Sequence, residues 1–169
     1  GIPTGPDEGR IGIATTLPHK PMPFFRDYFL KGAPSKLLGG AKIINLISGL
    51  IPFGVASPSY TDNIILTGDA AGMAKPTSGG GIYSGLISAD AAFEVASKAL
   101  NSGDLSSVNL SEYQTLIVNR IGGELTKGSY LRKAFLSLND NQLAEIISIL
   151  DEPKVKKAIE KTGDLDYAS

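Results

Sequence analysis

The chain has 169 residues, 42% of them apolar and 20% charged, with a formal net charge of −1 at pH 7. That is a globular composition able to bury roughly 70% of its unfolded surface, and its interspersed charge argues against nucleic acid as a partner. With no cysteine and a single histidine, His19, the sequence excludes disulfides, thiolate or histidine-cluster metal sites and a cysteine nucleophile.

The chain opens GIPTGPDEGR, inside a Gly/Pro turn without the charged and apolar regions of a leader, as a piece of something longer would. Residues 8–17 place Ile11 and Ile13 at period two before two threonines, which predicts a strand. The stretch PHKPMP has three prolines and predicts a loop, with His19 exposed to solvent. Residues 24–32 set Phe24, Phe25, Tyr28 and Phe29 on one helical side, with Gly32 as a stop and Arg26 and Asp27 as a solvated face. Pro34 and Ser35 open a short helix that Gly39 and Gly40 end. Residues 43–55 are the most apolar segment, interrupted by Gly and Pro and shorter than the roughly 20 residues a bilayer span needs.

Two further strands are expected, GLIPFGVA and the run around Ile64, Ile65 and Leu66, the second reading as buried on both faces. From Ile82 to Leu100 the apolar residues recur at steps of three and four, a long helix ended near Asn101 and Gly103. A second long helical region follows, with Tyr113, Ile117 and Ile121 spaced by four, Ser111 as its cap, and Gly122, Gly123 and Gly128 weakening it at about 1 kcal/mol each against Ala. Asn139 stands three residues before Gln142, the spacing of a capping box, ahead of an apolar face of Leu143, Ile146, Ile147 and Leu150. A last short helix has acids before it and an exposed lysine face over residues 154–161. The order, a few strands and then about four helices, is α+β or the tail of a larger α/β protein.

Residues 66–85, LTGDAAGMAKPTSGGGIYSG, concentrate glycine between the buried strand and the long helix. A helix start has unpartnered N–H groups and partial positive charge, and Gly79, Gly80 and Gly81 leave the backbone open to an electron-rich ligand atom. Asp69 follows the strand directly, where a carboxylate accepts a hydroxyl's hydrogen bond. The competing reading leaves Asp69 as a cap on residues 70–72 and the glycines as packing devices. Neither G-x-G-x-x-G nor the P-loop pattern is present.

Through GDAAG (68–72), KPTSGGGI (75–82) and the small-residue helix behind them, the chain resembles the C-terminal part of FAD-dependent oxidoreductases of the geranylgeranyl reductase family, within the p-hydroxybenzoate hydroxylase-like flavoproteins. The opening GIPTG is similar to the end of the family's aromatic-x-Trp-x-Phe-Pro-x-Gly motif, with Pro3 and Gly5 matching and Ile2 in place of Phe. The resemblance implies an α+β fragment of an α/β flavoprotein that lacks the N-terminal dinucleotide-binding βαβ. It implies part of a substrate-binding sheet with its helices in residues 1–60, an FAD-contacting strand, loop and helix in 61–103, and a helical region in 104–169.

The resemblance implies FAD contacts at Gly68, Asp69, Ala70, Pro76, Gly79, Gly80, Gly81 and Ile82, with Asp69 on the ribityl hydroxyls and Lys75 either beside the flavin or at the surface. It implies reduction of C=C bonds in the polyprenyl chains of lipids or diphosphates. NAD(P)H or a redox protein would supply electrons, in the cytoplasm or at the membrane periphery, and the fragment alone would be inactive. No residue stands out as the catalytic acid. The apolar segments 22–30 and 43–55 would line a substrate tunnel or form core. The alternatives are another FAD-dependent monooxygenase or electron-transfer dehydrogenase of the same fold, and a non-catalytic lipid- or protein-binding fragment.

Overall fold

The computed structural model describes residues 1–16 and 19–162. The chain divides into two compact units, Gly1–Ser48 and Gly49–Ser169.

In the first unit β1 (Ile2–Pro3) pairs antiparallel with β2 (Gly9–Arg10), Ile2 opposite Arg10. Among the described residues the strand expected over residues 8–17 is confined to Gly9 and Arg10. Leu17 lies outside the described residues. Helix α1 (Pro21–Phe25) begins inside the expected proline loop, because Pro21 at the first helical position gives up only an N–H that has no helical partner. A wider turn, Arg26–Leu30, continues it, and a 3-10 turn, Ala33–Leu38, ends at left-handed Gly39. His19 is exposed, its ring edge-on to Phe24. Phe24, Tyr28, Ile43, Ile44 and Ile47 are exposed as well, so these segments are not core within this chain.

The second unit starts with an extended segment. The expected strand GLIPFGVA reduces to one bridge, Phe53 to Met73, and an Ala56 N–H to Ala71 C=O bond of 2.9 Å. Pro52 has no donor and Gly54 turns the chain with φ 103°, which stops a ladder from forming. β3 (Tyr60–Thr61) and β4 (Ile64–Ile65) form a hairpin whose two-residue loop ends at Asn63, φ 63°. The Ser107 N–H, bound to Asp62, holds that carboxyl below its ordinary pKa. β4 is not buried on both faces: Ile65 packs on the core while Ile64 is 51% exposed, and β3 is the one strand paired with it among the described residues.

Helix α2 (Ile82–Ser102) organises the unit. It ends where expected, at left-handed Gly103, and the next N–H, of Asp104, reaches back to Ala99 C=O at 3.1 Å. Its buried face consists of small residues, Ser84, Ser88, Ala91, Val95 and Ala99. Small side chains let a neighbouring helix approach closely. That neighbour is α3 (Ser107–Leu110) leading into α4 (Glu112–Ile117), a widened turn at Val118–Gly122, and α5 (Gly123–Leu136). Tyr113, Ile117 and Ile121 fill the space against α2, each contributing about 1.5–3 kcal/mol by burial. Arg120 reaches Asp90 and Glu94 across the same pair, at 2.7 and 2.6 Å. The Arg120 and Lys98 cations hold Glu94 below the ordinary carboxylate pKa.

Ser106, not Ser111, caps the region. The helix begins one turn earlier than expected, and the Ser111 hydroxyl donates back to Val108 C=O. Gly122 lies in the widened turn and Gly123 follows it, while Gly128 has a packing reason: a Cβ there would stand 3.2 Å from Pro76 Cδ. α6 (Asp140–Asp151) carries the expected capping box, both Asn139–Gln142 bonds at 3.0 Å. α7 (Pro153–Thr162) packs on α6 and exposes its lysines. The described architecture is helix-rich α+β.

The opposite face of α2 is also apolar. Ile82, Leu86, Phe93 and Leu100 are 66–84% exposed, so the helix is hydrophobic on both sides, the pattern of a rod meant to be enclosed.

Tyr113 is completely buried and donates its hydroxyl to Leu66 C=O at 2.7 Å. Burial pushes its pKa from 10.0 up to about 12, so the folded state favours the neutral phenol. That contribution is intact below pH 10.0 and lost as pH rises through about 12. Replacing Tyr113 with Phe is expected to lower stability in denaturant titrations by about 1–2 kcal/mol and to remove the late phenolate step from an absorbance titration.

Candidate functional site

β4 runs out through Leu66 and Thr67 into a 3-10 turn, Gly68–Ala71. Gly68 has φ +52°, and its N–H donates to the Ser88 hydroxyl at 3.0 Å, which in turn donates to Gly85 C=O at 2.9 Å. A Cβ on Gly68 would lie 3.5 Å from Gly85 Cα, an ordinary contact, so the left-handed backbone is what favours glycine at 68. The chain then drops into the core: Gly72, Met73 and Ala74 are buried, and a Cβ on left-handed Gly72 would run into Gly54 C=O. It returns through a loop closed at its base, where Lys75 N–H donates to Gly80 C=O at 2.9 Å and Gly79 N–H to Lys75 C=O at 2.8 Å.

This path brings Asp69 to the mouth of α2. A Cβ on Gly81, the residue before the first helical position, would collide with Asp69 Oδ1. Glycine leaves the carboxylate in this position, and a larger residue would displace only the end of an exposed side chain. Asp69, Ala70 and Gly80 are exposed around it, and Ile82 is 84% exposed. The Lys75 side chain lies along Gly80, its Cε 3.5 Å from where a Cβ would stand.

Pro76 faces elsewhere. It is buried against α5 beside Gly128, and its C=O accepts from Arg132 Nη1 at 3.1 Å. The same guanidinium lies 4.5 Å from the Phe53 ring centroid. Arg132 therefore ties α5, segment 52–54 and the loop together. The sequence reading passed over Arg132 and Ser88. Neither carries a local signal, since each works through a partner 20 or 56 positions away. Gly128 inside a helical pattern was the one visible hint.

Chemically the mouth offers an exposed carboxylate beside the positive end of a helix and a stretch of bare backbone. The carboxylate offsets the helix charge, so a neutral hydroxyl donor suits this place better than a second anion. Among the described residues no cluster of His, Asp and Glu is arranged to hold a metal ion.

An uncharacterized protein of Methanocaldococcus jannaschii is 34% identical over 167 residues, 98% of this chain and 42% of the relative. Digeranylgeranylglycerophospholipid reductase 2 of Methanosphaera stadtmanae is 35% identical over 148 residues, 86% of this chain and 37% of the relative. The reductase 2 of Methanococcoides burtonii is 30% identical over 147 residues, 84% and 35% of the two chains. This chain belongs to the geranylgeranyl reductase family. It spans about two fifths of the length of the family members it matches. No family model and no solved structure matches it.

Two glycines of this family member separate conformational need from local clearance. Gly72→Ala forces a side chain into left-handed backbone and onto Gly54, and should cost roughly 2–4 kcal/mol. Gly81→Ala, at an ordinary φ of −117°, meets only the end of a short exposed side chain. Asp69 should swing away at a cost of about 1 kcal/mol or less. Urea unfolding of the two variants tests the contrast, and an NMR rotamer measurement on Asp69 tests the displacement.

Proposed function

We propose that this chain is the C-terminal part of an FAD-dependent reductase that saturates C=C bonds in the isoprenoid chains of glycerophospholipids. The observation that carries the reading is the Asp69–Gly81 apposition, a carboxylate seated against a bare glycine at a helix entry, in a family whose named members are reductases of such lipids. The residues fit the group. Asp69 would accept hydrogen bonds from the ribityl hydroxyls. Gly79, Gly80 and Gly81 would let the cofactor approach the backbone, Gly68 and Ala70 would shape the turn, and Ile82 would start the supporting helix. Bound FAD would supply the hydride for the double bond.

The rest is positioning. The closed base of the 75–80 loop and the Arg132 bond to Pro76 hold the glycines in place. Packing of α2 on α4 fixes the direction of the helix end. The outer ridge of α2 would pack against the part of the longer polypeptide that carries the remaining cofactor contacts, shielding the site from water. No residue of this chain is assigned as the proton donor. No described helix is long and apolar enough to cross a membrane, and the exposed lysines of α7 give the protein a cationic face for peripheral contact with anionic lipid.

The test uses the full-length protein. Purified wild type should be yellow. Asp69→Ala should lose flavin affinity by roughly tenfold or more, the value of a hydrogen bond to a charged group, with unchanged helix content by circular dichroism. Colourless wild type after reconstitution with FAD, or an Asp69→Ala variant that retains flavin equally well, would overturn the reading.

A further inference from the structure

Behind the motif loop lies a groove of about 790 Å³ that the cofactor reading does not use. One wall is the buried stretch around Gly72, Ala74 and Pro76, continued by Gly54 and Val55. The other is one face of the helix from Gln114 to Lys133. At 1.5 Å per residue that stretch is roughly 28 Å long, longer than an extended diterpenyl chain. The volume falls in the range of small-molecule sites.

Both walls are open for the same reason: side chains are missing. A Cβ on Gly54 in one wall, or on Gly123 in the other where the helix widens, would meet nothing within 4 Å. Ile117 and Leu125 give an apolar floor. Polar groups line both ends, Ser57 and Gln114 at one and Tyr130 at the other, but the positive charge lies at the α5 end, with Lys127 and Lys133. Lys127 has one carboxylate beside it, Glu124 at 3.1 Å, and Lys133 lies over the Tyr130 ring. No acidic side chain is among the described residues lining the groove. An apolar trough with cations at one end is complementary to a molecule with a long hydrocarbon chain and an anionic head. Pro76 belongs to this groove and to the motif loop alike.

We propose that the groove seats one isoprenoid chain of an anionic glycerophospholipid, with Lys127 and Lys133 facing its phosphate. This rests on the lipid reductase reading above and names the place where that substrate lies on this chain.

The experiment uses the full-length protein and digeranylgeranylglyceryl phosphate carrying a diazirine on one chain. After irradiation, mass spectrometry should find label within residues 54–57, 72–76 or 117–133, and unlabelled lipid should compete it away. Thr126→Trp sets an indole into the groove from an exposed position and should remove that label. Lys127→Glu with Lys133→Glu should weaken labelling by the phosphate probe by roughly tenfold and leave labelling by an uncharged diazirine geranylgeraniol unchanged. Thermal unfolding of each variant shows that it is folded.

Label only elsewhere, label that lipid does not compete, or indifference to Thr126→Trp in a folded variant overturns the proposal. So does a groove protected from labelling in both probes because another part of the polypeptide or a second copy fills it. Flavin content and double-bond reduction are measured on the same samples. A protein labelled in the groove without flavin or reduction would defeat the functional reading and leave the groove standing. A yellow, active protein with no label in the groove would defeat the groove alone.

Discussion

The Asp69 carboxylate lies where a Cβ on Gly81 would stand, and the contacts of the surrounding chain bring the two together. Gly68 takes a left-handed φ so that the turn carrying Asp69 can lie on α2, and Ser88 accepts the Gly68 N–H from the helix beneath. Between the two partners the chain dives through Gly72, Met73 and Ala74, buried under Gly54 and paired with Phe53, before the closed loop brings it back. Each contact is short-ranged and directional. The position of the carboxylate therefore depends on α2 being held in one orientation, and Tyr113, Ile117 and Ile121 do that by filling the space against its small-residue face.

Features that depend on neighbours in the sequence were legible. The Asn139–Gln142 box and the left-handed stop at Gly103 are local arrangements of residue type and backbone, and both stand as the spacing implies. The glycine motif was legible for a related reason: Asp69 and Gly81 are twelve positions apart, close enough for one pattern to contain both. Strands fared worse. Residues 11–16 have β character but pair with no strand among the described residues, and Pro52 and Gly54 interrupt a run whose apolar content suggested pairing. A strand needs a second strand, and composition does not reveal where that strand is.

Helix periodicity found α2 but not which side the chain covers. The large residues at steps of three and four lie outside, and the serines and alanines lie inside against Tyr113 and its neighbours. The groove was invisible for a further reason. Its walls come from segments near residues 54, 74 and 120 that share no pattern, and only the unexplained glycines at 122, 123 and 128 marked the helix as unusual.

α2 is a single rod of 21 residues, about 31 Å long, with Gly81 at one tip and Leu100 near the other. Its bare outer ridge and its glycine mouth are parts of the same rigid body. Whatever covers Phe93 and Leu100 therefore packs on the same straight element that carries Gly81, so the cover and the mouth are registered to one another by one helix.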